Sequence, residues 1–329
     1  MLLLHNLTKT ADPMTSLAST PLPETCEPDW DNAHERVKRI VLIPLSVCII
    51  LSNGAVLLFI ALQRKSHRPT YSFVTLLGIA DMCIGFVSIG AVVTKANEST
   101  LNECLGRIGF TISGIQVSTM CVMWIAVDRY IAITRALRYI QIMTTRRVVF
   151  AMLWITFQSL LIGFAPLIGW NTGNYNQYCS FLFVVSPGYV VLIFIIGVLP
   201  ILIVFVIYVR LYCSARGHIK RIDALEQLGV TRKSGRLFGI SARNWKSVKT
   251  LLCVIGCLLI TWCPFLIATV VQLVSGDKVS CFLKEIIGTY LLMLGFSNSF
   301  LNPLIYAVGT KDFRDNFRNT IKRQCCPAS

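Results

Sequence analysis

Seven long segments of this chain contain almost no charged side chains, and each is close to the ~20 apolar residues that a helix needs to cross a lipid bilayer. Charged residues make up only 14% of the 329 residues, against about 25% in an average soluble domain. So many apolar helices would leave a water-soluble fold without polar faces. We therefore predict an all-α membrane protein, a bundle of seven transmembrane helices, over residues 40–62, 71–94, 105–133, 148–170, 188–212, 248–273 and 282–308.

The basic residues indicate which side of the membrane each connection faces. The net charge is +15, and the Lys and Arg residues cluster in the connections that follow the first, third, fifth and seventh segments. The connection over residues 169–186, on the opposite side, has none. Because basic loops stay in the cytoplasm, we predict an extracellular N-terminus and a cytoplasmic C-terminus. This distribution also argues against nucleic acid as a partner, since the charge follows the membrane topology.

The predicted organisation is one membrane domain between two short tails. Residues 1–36 are polar and interrupted by four prolines, which predicts a flexible extracellular tail, and the domain covers residues 37–309. In residues 310–329, Phe313, Phe317 and Ile321 recur at four-residue spacing beside basic residues. This pattern predicts a short amphipathic helix, helix 8, on the cytoplasmic membrane surface before a short tail. The longest inner connection, residues 213–245, is predicted to be a basic loop.

Several residues outside the predicted spans are candidates for modification. Asn6 and Asn97 each begin a glycosylation sequon, and both fall on the predicted outer side. Cys325 and Cys326 lie just beyond the last helix, where palmitoylation is common, although two unmodified thiols fit the sequence as well. Four cysteines lie on the oxidising outer side and permit two disulfide bridges: Cys26, Cys104, Cys179 and Cys281.

Polar side chains within the predicted spans are the strongest functional signal, because hydrocarbon excludes them unless they have partners. Asp81 is a carboxylate in the middle of the second span, and Asn53 lies in the first. Together with Ser118, Asn298 and Asn302, Asp81 offers the oxygen ligands that a small hard cation such as Na⁺ requires. A hydrogen-bond network that only packs the helices explains the same residues. Residue types alone leave both interpretations open.

Three functional classes fit such a membrane protein: a receptor, a transporter or channel, and an intramembrane enzyme. Transport is disfavoured because one carboxylate among apolar spans gives no continuous polar path. An enzyme needs a positioned nucleophile–base pair or a metal set, but all four histidines lie outside the predicted spans. We therefore predict no catalytic residue and no enzyme activity. Prolines kink helices and suit a bundle that changes shape; those within the spans are Pro166, Pro200, Pro264 and Pro303.

Short motifs occur in every predicted span in a fixed order: SNGAV with Asn53, LGIAD with Asp81, DRY at 128–130, Trp154, Pro200 eight residues before Tyr208, TWCPF at 261–265 and NPLIY at 302–306. This set resembles the rhodopsin-like (class A) G-protein-coupled receptors over residues 40–323. Within that family the chain looks similar to the group of melanocortin, lysolipid, cannabinoid and adenosine receptors. The resemblance implies a multi-pass receptor of the plasma membrane that drives nucleotide exchange on a heterotrimeric G protein. It also implies arrestin and receptor kinases as partners.

The resemblance assigns roles to particular residues. It implies a disulfide between Cys104 and Cys179, no cofactor, and a resting-state sodium ion bound by Asp81, Ser118, Asn298 and Asn302. Arg129 is expected to pair with Asp128 at the cytoplasmic membrane interface and to be released on activation. The residues implied in G-protein coupling and activation are Asp128, Arg129, Tyr130, Tyr208, Trp262, Pro264, Asn302, Pro303 and Tyr306.

The sequence departs from the family pattern at the base of the sixth span. Many family members hold the arginine there with a second acidic residue, but this chain has Asn244. A neutral amide is a weaker partner than a carboxylate, so we expect signalling without added ligand. The alternative is that Asn244 only begins a helix and that other contacts hold the resting state.

The ligand pocket implied by the resemblance is apolar. Thr111 stands where amine receptors have an aspartate, and Thr269 and Phe296 replace the polar residues of adenosine receptors. A single fixed cation, Arg107, is expected near the mouth, which suits a lipid-like ligand with one polar head. An adenosine-, peptide- or amine-type receptor is the alternative. The implied pocket residues are Arg107, Thr111, Ile112, Ile115, Trp262, Phe265, Thr269, Leu292 and Phe296.

Overall fold

The structure, a computed structural model, describes the backbone of residues 32–62, 69–93, 100–173, 179, 181–227, 234–275, 283 and 286–309. Side chains are described for these residues except 32–35, 183, 214–251 and 306–309. The predicted sequons, palmitoylation sites, second disulfide and helix 8 lie outside the described residues, namely Asn6, Asn97, Cys325, Cys326, Cys26, Cys281 and 310–329. The side chains of Asn244 and Tyr306 lie outside the description as well.

Seven long helices make up most of the described chain: α1 (Asn32–Leu62), α2 (Pro69–Val93), α3 (Leu101–Thr134), α4 (Thr145–Gly163), α5 (Pro187–Gln227), α6 (Ser234–Ser275) and α7 (Leu292–Gly309). A lipid environment favours helices because every backbone N–H and C=O is then bonded within its own segment. Six of the described helices are long and apolar enough to cross a membrane. The remaining one, α7, follows a π-helical turn, Ile287–Leu291, and carries several buried polar residues. The predicted all-α bundle is confirmed.

The prediction that residues 213–245 form a loop is wrong, because most of these residues are helical. Helix α5 continues to Gln227, and α6 already begins at Ser234. Residues 213–227 contain no proline and several good helix formers, such as Arg221, Leu225 and Glu226. Hydropathy marks where a helix leaves the membrane, but the hydrogen-bonded helix ends only where the local sequence stops it.

Two other predicted boundaries are also wrong. Helix α1 begins at Asn32, inside the predicted flexible tail of residues 1–36. Helix α4 ends at Gly163, well before residue 170, and Pro166 lies in a separate 3₁₀ turn, Ala165–Ile168. Pro166 therefore marks the end of the span and does not kink it. Gly169 then adopts a φ of 129°, which residues with a side chain rarely reach, and the chain turns away from the helix axis.

Helix α3 is the central element of the bundle. It packs against α2, α4, α5 and α6, while α1 closes the ring by packing against both α2 and α7. Fourteen residues of α3 are buried, which explains why the helix carries several of the predicted functional residues. Residues on different faces of this helix lie beside the ligand cavity, beside the polar residues around Asp81 and at the end of the bundle that holds Arg129.

The distribution of polarity is inverted relative to that of a soluble protein. Large apolar side chains such as Phe86, Trp154, Ile195 and Ile267 are exposed on the outer faces of the helices. Polar side chains are instead buried, including Asp81, Asp128, Asn53, Gln116 and Asn302. An apolar exterior around a polar interior is what a lipid solvent requires.

Helices α3 and α4 approach each other closely at two glycines. A Cβ added at Gly163 would overlap the Oγ atom of Ser113 and lie 2.5 Å from the carbonyl oxygen of Gly109. Ser113 Oγ also donates a hydrogen bond to the carbonyl of Ser159, at 3.1 Å. Only a residue without a side chain fits at this crossing, so Gly163 sets the distance between the two helices.

A disulfide cross-links one end of the bundle, which we call the disulfide end. Helix α3 begins with a capping box in which Thr100 and Glu103 bond each other's backbone N–H groups. In its first turn, Cys104 forms a disulfide with Cys179, with a Cα–Cα distance of 5.6 Å. The bridge predicted by the resemblance is therefore present. The disulfide fixes the α4–α5 connection to the first turn of α3.

Candidate functional site

A cavity of about 250 Å³ opens inside the disulfide end, between α2, α3, α5, α6 and α7. The structure brings all nine residues of the implied pocket to its wall: Arg107, Thr111, Ile112, Ile115, Trp262, Phe265, Thr269, Leu292 and Phe296. The lining also includes Gln116 and Gly197, which the sequence analysis did not select. Lys38 of α1 also lines the cavity. The prediction that Arg107 is the single cation of the cavity is therefore wrong.

The walls of the cavity are mostly apolar, and three of their hydroxyl groups already donate to the backbone. Ser88 Oγ donates to the Ile84 carbonyl at 2.8 Å. Thr119 Oγ1 bonds the backbone carbonyl four residues earlier at 2.9 Å. Thr269 Oγ1 does the same at 2.7 Å. A ligand therefore meets hydrocarbon over most of the surface.

Two buried nitrogen donors interrupt this apolar surface. Arg107 Nη1 and Gln116 Nε2 are both buried and have no hydrogen-bond partner in the described part of the chain. A buried donor without an acceptor costs about 1–3 kcal/mol, so each is an attachment point for a ligand atom or for water. Arg107 adds a permanent positive charge, which favours an anionic or strongly accepting group.

A second polar cluster surrounds Asp81, whose side chain is fully buried. Ser299 Oγ donates to one carboxylate oxygen at 2.8 Å, and Asn302 Nδ2 donates to the other at 3.1 Å. Asn53 Nδ2 donates to the backbone carbonyls of Ser299 and Ile49, both at 3.0 Å. The cluster therefore joins α1, α2 and α7. Sequence reasoning missed Ser299, although a third polar residue between Asn298 and Asn302 was a visible signal.

Oxygen atoms without partners lie in the same set of residues. Ser118 Oγ, Asn298 Oδ1 and Asn302 Oδ1 are buried and accept no hydrogen bond among the described residues. With the Asp81 carboxylate they form a donor set of hard oxygens and one negative charge, which fits a small cation such as Na⁺. A network that only packs helices accounts for the bonds of Ser299 and Asn302, so both interpretations of this cluster fit the structure.

A third polar cluster lies at the opposite end of the bundle, which we call the Arg129 end. Arg129 Nη2 and Nε donate to Asp128 Oδ2 at 2.7 and 3.0 Å. Thr70 Oγ1 donates to the same oxygen at 2.6 Å, and Tyr139 OH donates to Oδ1 at 2.6 Å. Arg129 Nη2 also contacts Thr70 Oγ1. The predicted ion pair is present, and α3, α2 and the one-turn helix Tyr139–Ile142 meet around it.

The burial of Asp128 differs from the expectation of an interfacial pair. Its side chain is 0% exposed, whereas that of Arg129 is 32% exposed. The carboxylate is held inside by three donors, and only the arginine reaches toward the surface. Burial, followed by the hydrogen bond to Asp128, raises the pKa of Tyr139 above its ordinary value. The phenol therefore stays protonated and remains a donor at physiological pH.

Comparison with known proteins decides which family this arrangement represents. Residues 52–306 match the family described as 7 transmembrane receptor (rhodopsin family), a match that covers more than half of the chain. The chain belongs to this family. Its members are receptors rather than enzymes, and they are multi-pass proteins of the plasma membrane that signal through G proteins.

Individual relatives give the same result. The glucose-dependent insulinotropic receptor of Rattus norvegicus is 33% identical over 288 residues, which are 84% of this chain and 60% of the relative. The receptor of the same name from Homo sapiens is 32% identical over 291 residues, 84% of this chain and 83% of the relative. The histamine H2 receptor of Cavia porcellus is 26% identical over 299 residues, 87% and 79% of the two chains. The chain thus spans about three fifths of the rat relative's length.

Trp262 connects the cavity of this receptor with the rest of the bundle. Its ring lines the cavity and packs edge-on against Phe265, with ring centres 6.0 Å apart. A Cβ added at Gly295 would lie 2.9 Å from the Trp262 ring, so the indole rests directly on the α7 backbone. The same ring contacts the apolar clusters toward both ends of the bundle. Trp262 of α6 is therefore in direct contact with α7 at the floor of the cavity.

Two further implied switch residues of the receptor, Tyr130 and Tyr208, lie toward the Arg129 end. Tyr130 packs into an apolar cluster that joins α3, α5 and α6. Tyr208 lies on α5 beside Tyr212, with ring centres 6.2 Å apart. Pro264 and Pro303 lie inside α6 and α7, where each removes one backbone hydrogen bond. Both helices therefore have a weak point, in α6 beside the cavity and in α7 beside Asn302.

Proposed function

We propose that this receptor responds to a lipid-like ligand with one anionic head group, and that it passes the signal to a heterotrimeric G protein. The observation that carries the proposal is the buried, unpartnered Nη1 of Arg107 in a cavity with mostly apolar walls. An acyl chain would remove that apolar surface from water, and its head group would supply the acceptor that Arg107 lacks.

An amine ligand, suggested by the name of the histamine H2 relative, fits this cavity poorly. None of the described residues that line it is acidic, and Thr111 and the other lining hydroxyls are neutral. A buried ammonium group without a carboxylate would lose its hydration for no ion pair. Arg107 would in addition repel it. The cavity therefore favours an anion over a cation.

In this proposal the disulfide end faces outside and the Arg129 end faces the cytoplasm. The basic connections predict this orientation, and an extracellular disulfide is compatible with it. Arrestin and receptor kinases remain expected partners at the cytoplasmic end. Glycosylation of Asn6 and Asn97 and palmitoylation of Cys325 and Cys326 remain predictions.

The proposed mechanism links the cavity to the Arg129 end through α6 and α7. A ligand that presses on Trp262 shifts the indole against Gly295 and bends α6 and α7 near their prolines. Separation of the inner ends of the helices then allows Arg129 to leave Asp128 and contact the G protein. A sodium ion at Asp81 would favour the resting arrangement, because it ties α2, α3 and α7 together. Asn244 in place of an acid predicts measurable activity without ligand.

Binding of matched long-chain lipids tests the head-group assignment. We expect oleic acid to raise the melting temperature of the purified receptor in nanodiscs, and oleyl alcohol and oleylamine to raise it less. Arg107→Ala should weaken oleic acid binding about tenfold or more, since a hydrogen bond to a charged group contributes ~1.5–3 kcal/mol.

The control for this test is Arg146→Ala, an exposed arginine at the Arg129 end, which should leave oleic acid binding unchanged. A preference for oleylamine, or full oleic acid binding by Arg107→Ala, would contradict the proposal.

A further inference from the structure

Gln116 is the second donor of the cavity, and the head group at Arg107 does not explain it. The residue is only 6% exposed, it lines the cavity, and its Nε2 has no hydrogen-bond partner in the described structure. Because the side chain lines the cavity, a ligand there is one source of the acceptor that the amide lacks.

Arg107 and Gln116 lie at different depths of the same helix. They are nine residues apart on α3, which corresponds to about 13 Å along the helix axis and two and a half turns. The half turn places them at opposite edges of the face that α3 presents to the cavity. A line from Arg107 to Gln116 therefore runs obliquely through the cavity, from the disulfide end to the level of Trp262, near α5.

The space beside Gln116 is suited to chain atoms rather than to a second head group. The residues that line the same cavity include Ile201 and Gly197 of α5, and Thr119 one turn further along α3 than Gln116. A Cβ added at Gly197 would meet no heavy atom within 4 Å. The hydroxyl of Thr119 is already bonded to the backbone. Gln116 is thus an isolated donor in an apolar end of the cavity.

We propose that the ligand carries a second hydrogen-bond acceptor, a carbonyl group within its acyl chain, which Gln116 Nε2 binds. The inference rests on the proposed lipid-like ligand and specifies its chemistry. A plain hydrocarbon chain would displace water from the amide and leave it unsatisfied, whereas a chain carbonyl replaces that water. The receptor would then distinguish oxidised or acyl-linked lipids from simple fatty acids of equal length.

Competition binding against radiolabelled oleic acid tests this directly. The probes are stearic acid and a series of keto-stearic acids in which the ketone is moved along the chain. For the wild-type receptor we expect one ketone position to bind about fivefold more tightly than stearic acid, since a neutral hydrogen bond contributes ~0.5–1.5 kcal/mol. Ketones nearer the carboxylate should give no gain, because they lie short of Gln116.

Two variants separate the donor from a general effect on packing. Gln116→Leu should bind stearic acid more tightly than the wild type does, because no amide is left unsatisfied, and should lose the gain from the ketone. Gln158→Leu is the matched control, because Gln158 Nε2 is also buried and unpartnered but lies on α4 outside the cavity lining. It should keep the gain.

The outcomes also separate this inference from the proposed function. Binding of stearic acid with no gain at any ketone position, or a gain that persists in Gln116→Leu, would overturn the inference alone. A preference for hydroxy-stearic acid without any gain from a ketone would do the same, because it would show that Gln116 accepts rather than donates. If the wild type binds none of the fatty acids, the lipid-like ligand itself is wrong, and the inference falls with it.

Discussion

At the residue scale, the buried carboxylate of Asp128 holds the Arg129 end together. It accepts hydrogen bonds from Thr70, Arg129 and Tyr139, which come from three parts of the chain. Bonds to a buried charge are stronger than neutral ones, because the surroundings screen them less. Release of Arg129 must therefore compete with an intact set of partners around Asp128.

The first prediction concerns Tyr139 and Thr70. Tyr139→Phe and Thr70→Val each remove one donor to Asp128, worth ~1.5–3 kcal/mol for a charged acceptor. We expect each variant to raise ligand-free nucleotide exchange severalfold at matched surface expression, since the resting arrangement loses a bond. Thr75→Val is the control, because Thr75 Oγ1 bonds only the Tyr71 carbonyl on the same helix. Unchanged exchange in both variants would show that this cluster does not hold the resting state.

The second prediction concerns the missing acid on α6. Asn244→Glu or Asn244→Asp should lower ligand-free exchange about fivefold, because a charge-assisted bond adds ~1 kcal/mol over a neutral one. Asn244→Gln keeps the amide and should have little effect. Arg129→Ala should impair coupling altogether. If neither acid lowers exchange, other contacts set the basal activity.

The third prediction concerns sodium at Asp81. Sodium chloride should raise the melting temperature of the purified receptor more than choline chloride at equal ionic strength, because an ion that binds only the folded state stabilises it. Asp81→Asn removes the charged ligand and should abolish the difference between the two salts. A sodium-specific shift that survives in Asp81→Asn would contradict the site.

At the element scale, the α3–α4 crossing determines how close the two helices lie. Gly163→Ala would push a methyl group into Ser113 Oγ and the Gly109 carbonyl, and backbone cannot move aside as a long side chain can. We expect a clear loss of melting temperature and of surface expression, with a destabilisation of ~1–3 kcal/mol typical of overpacking.

Gly256→Ala on α6 is the matched control for that substitution, because a Cβ there meets nothing within 4 Å. It should be neutral or slightly stabilising, since alanine favours the helix over glycine by roughly 0.5–1 kcal/mol. Equal effects of the two substitutions would mean that the α3–α4 contact is looser than described.

The sequence predicted the positions of the helices well within the membrane, and their ends poorly outside it. Hydropathy located the seven spans, because the hydrocarbon thickness fixes the length of an apolar run. It could not show that α5 reaches Gln227, since a helix outside the membrane is stabilised by local propensity and contacts. It also overran α4, because the apolar residues 164–170 form turns after Gly163.

The site was predictable only in part for a similar reason. Motifs located Asp81, Arg129 and Trp262, whose residue types are unusual in apolar spans. Ser299, Thr70 and Tyr139 were missed because a hydroxyl group is common in helices and becomes a partner only through the rotation of one helix against another. Gln116 was missed because its neighbours along the chain give no sign that its amide is unpartnered.

At the scale of the whole molecule, the cavity, the Asp81 cluster and the Arg129 end are three separate polar regions of one bundle. The cavity at the disulfide end contacts Trp262, the Asp81 cluster joins α1, α2 and α7 below it, and the Arg129 end closes the bundle. Between them lie apolar contacts and the prolines of α6 and α7. In the proposed mechanism the bundle is a two-state element, whose resting form is held at Asp81 and Asp128 and whose active form is favoured from the cavity.

The most direct test of this account is nucleotide exchange on a purified heterotrimeric G protein by the receptor in nanodiscs, with oleic acid as the probe. We predict that oleic acid accelerates exchange by the wild type, and that oleyl alcohol does so less. Arg107→Ala should lose the oleic acid response while keeping its ligand-free exchange, and Arg129→Ala should lose both. A wild-type receptor that exchanges nucleotide but responds equally to both lipids, or an Arg107→Ala variant with a full response, would contradict the account.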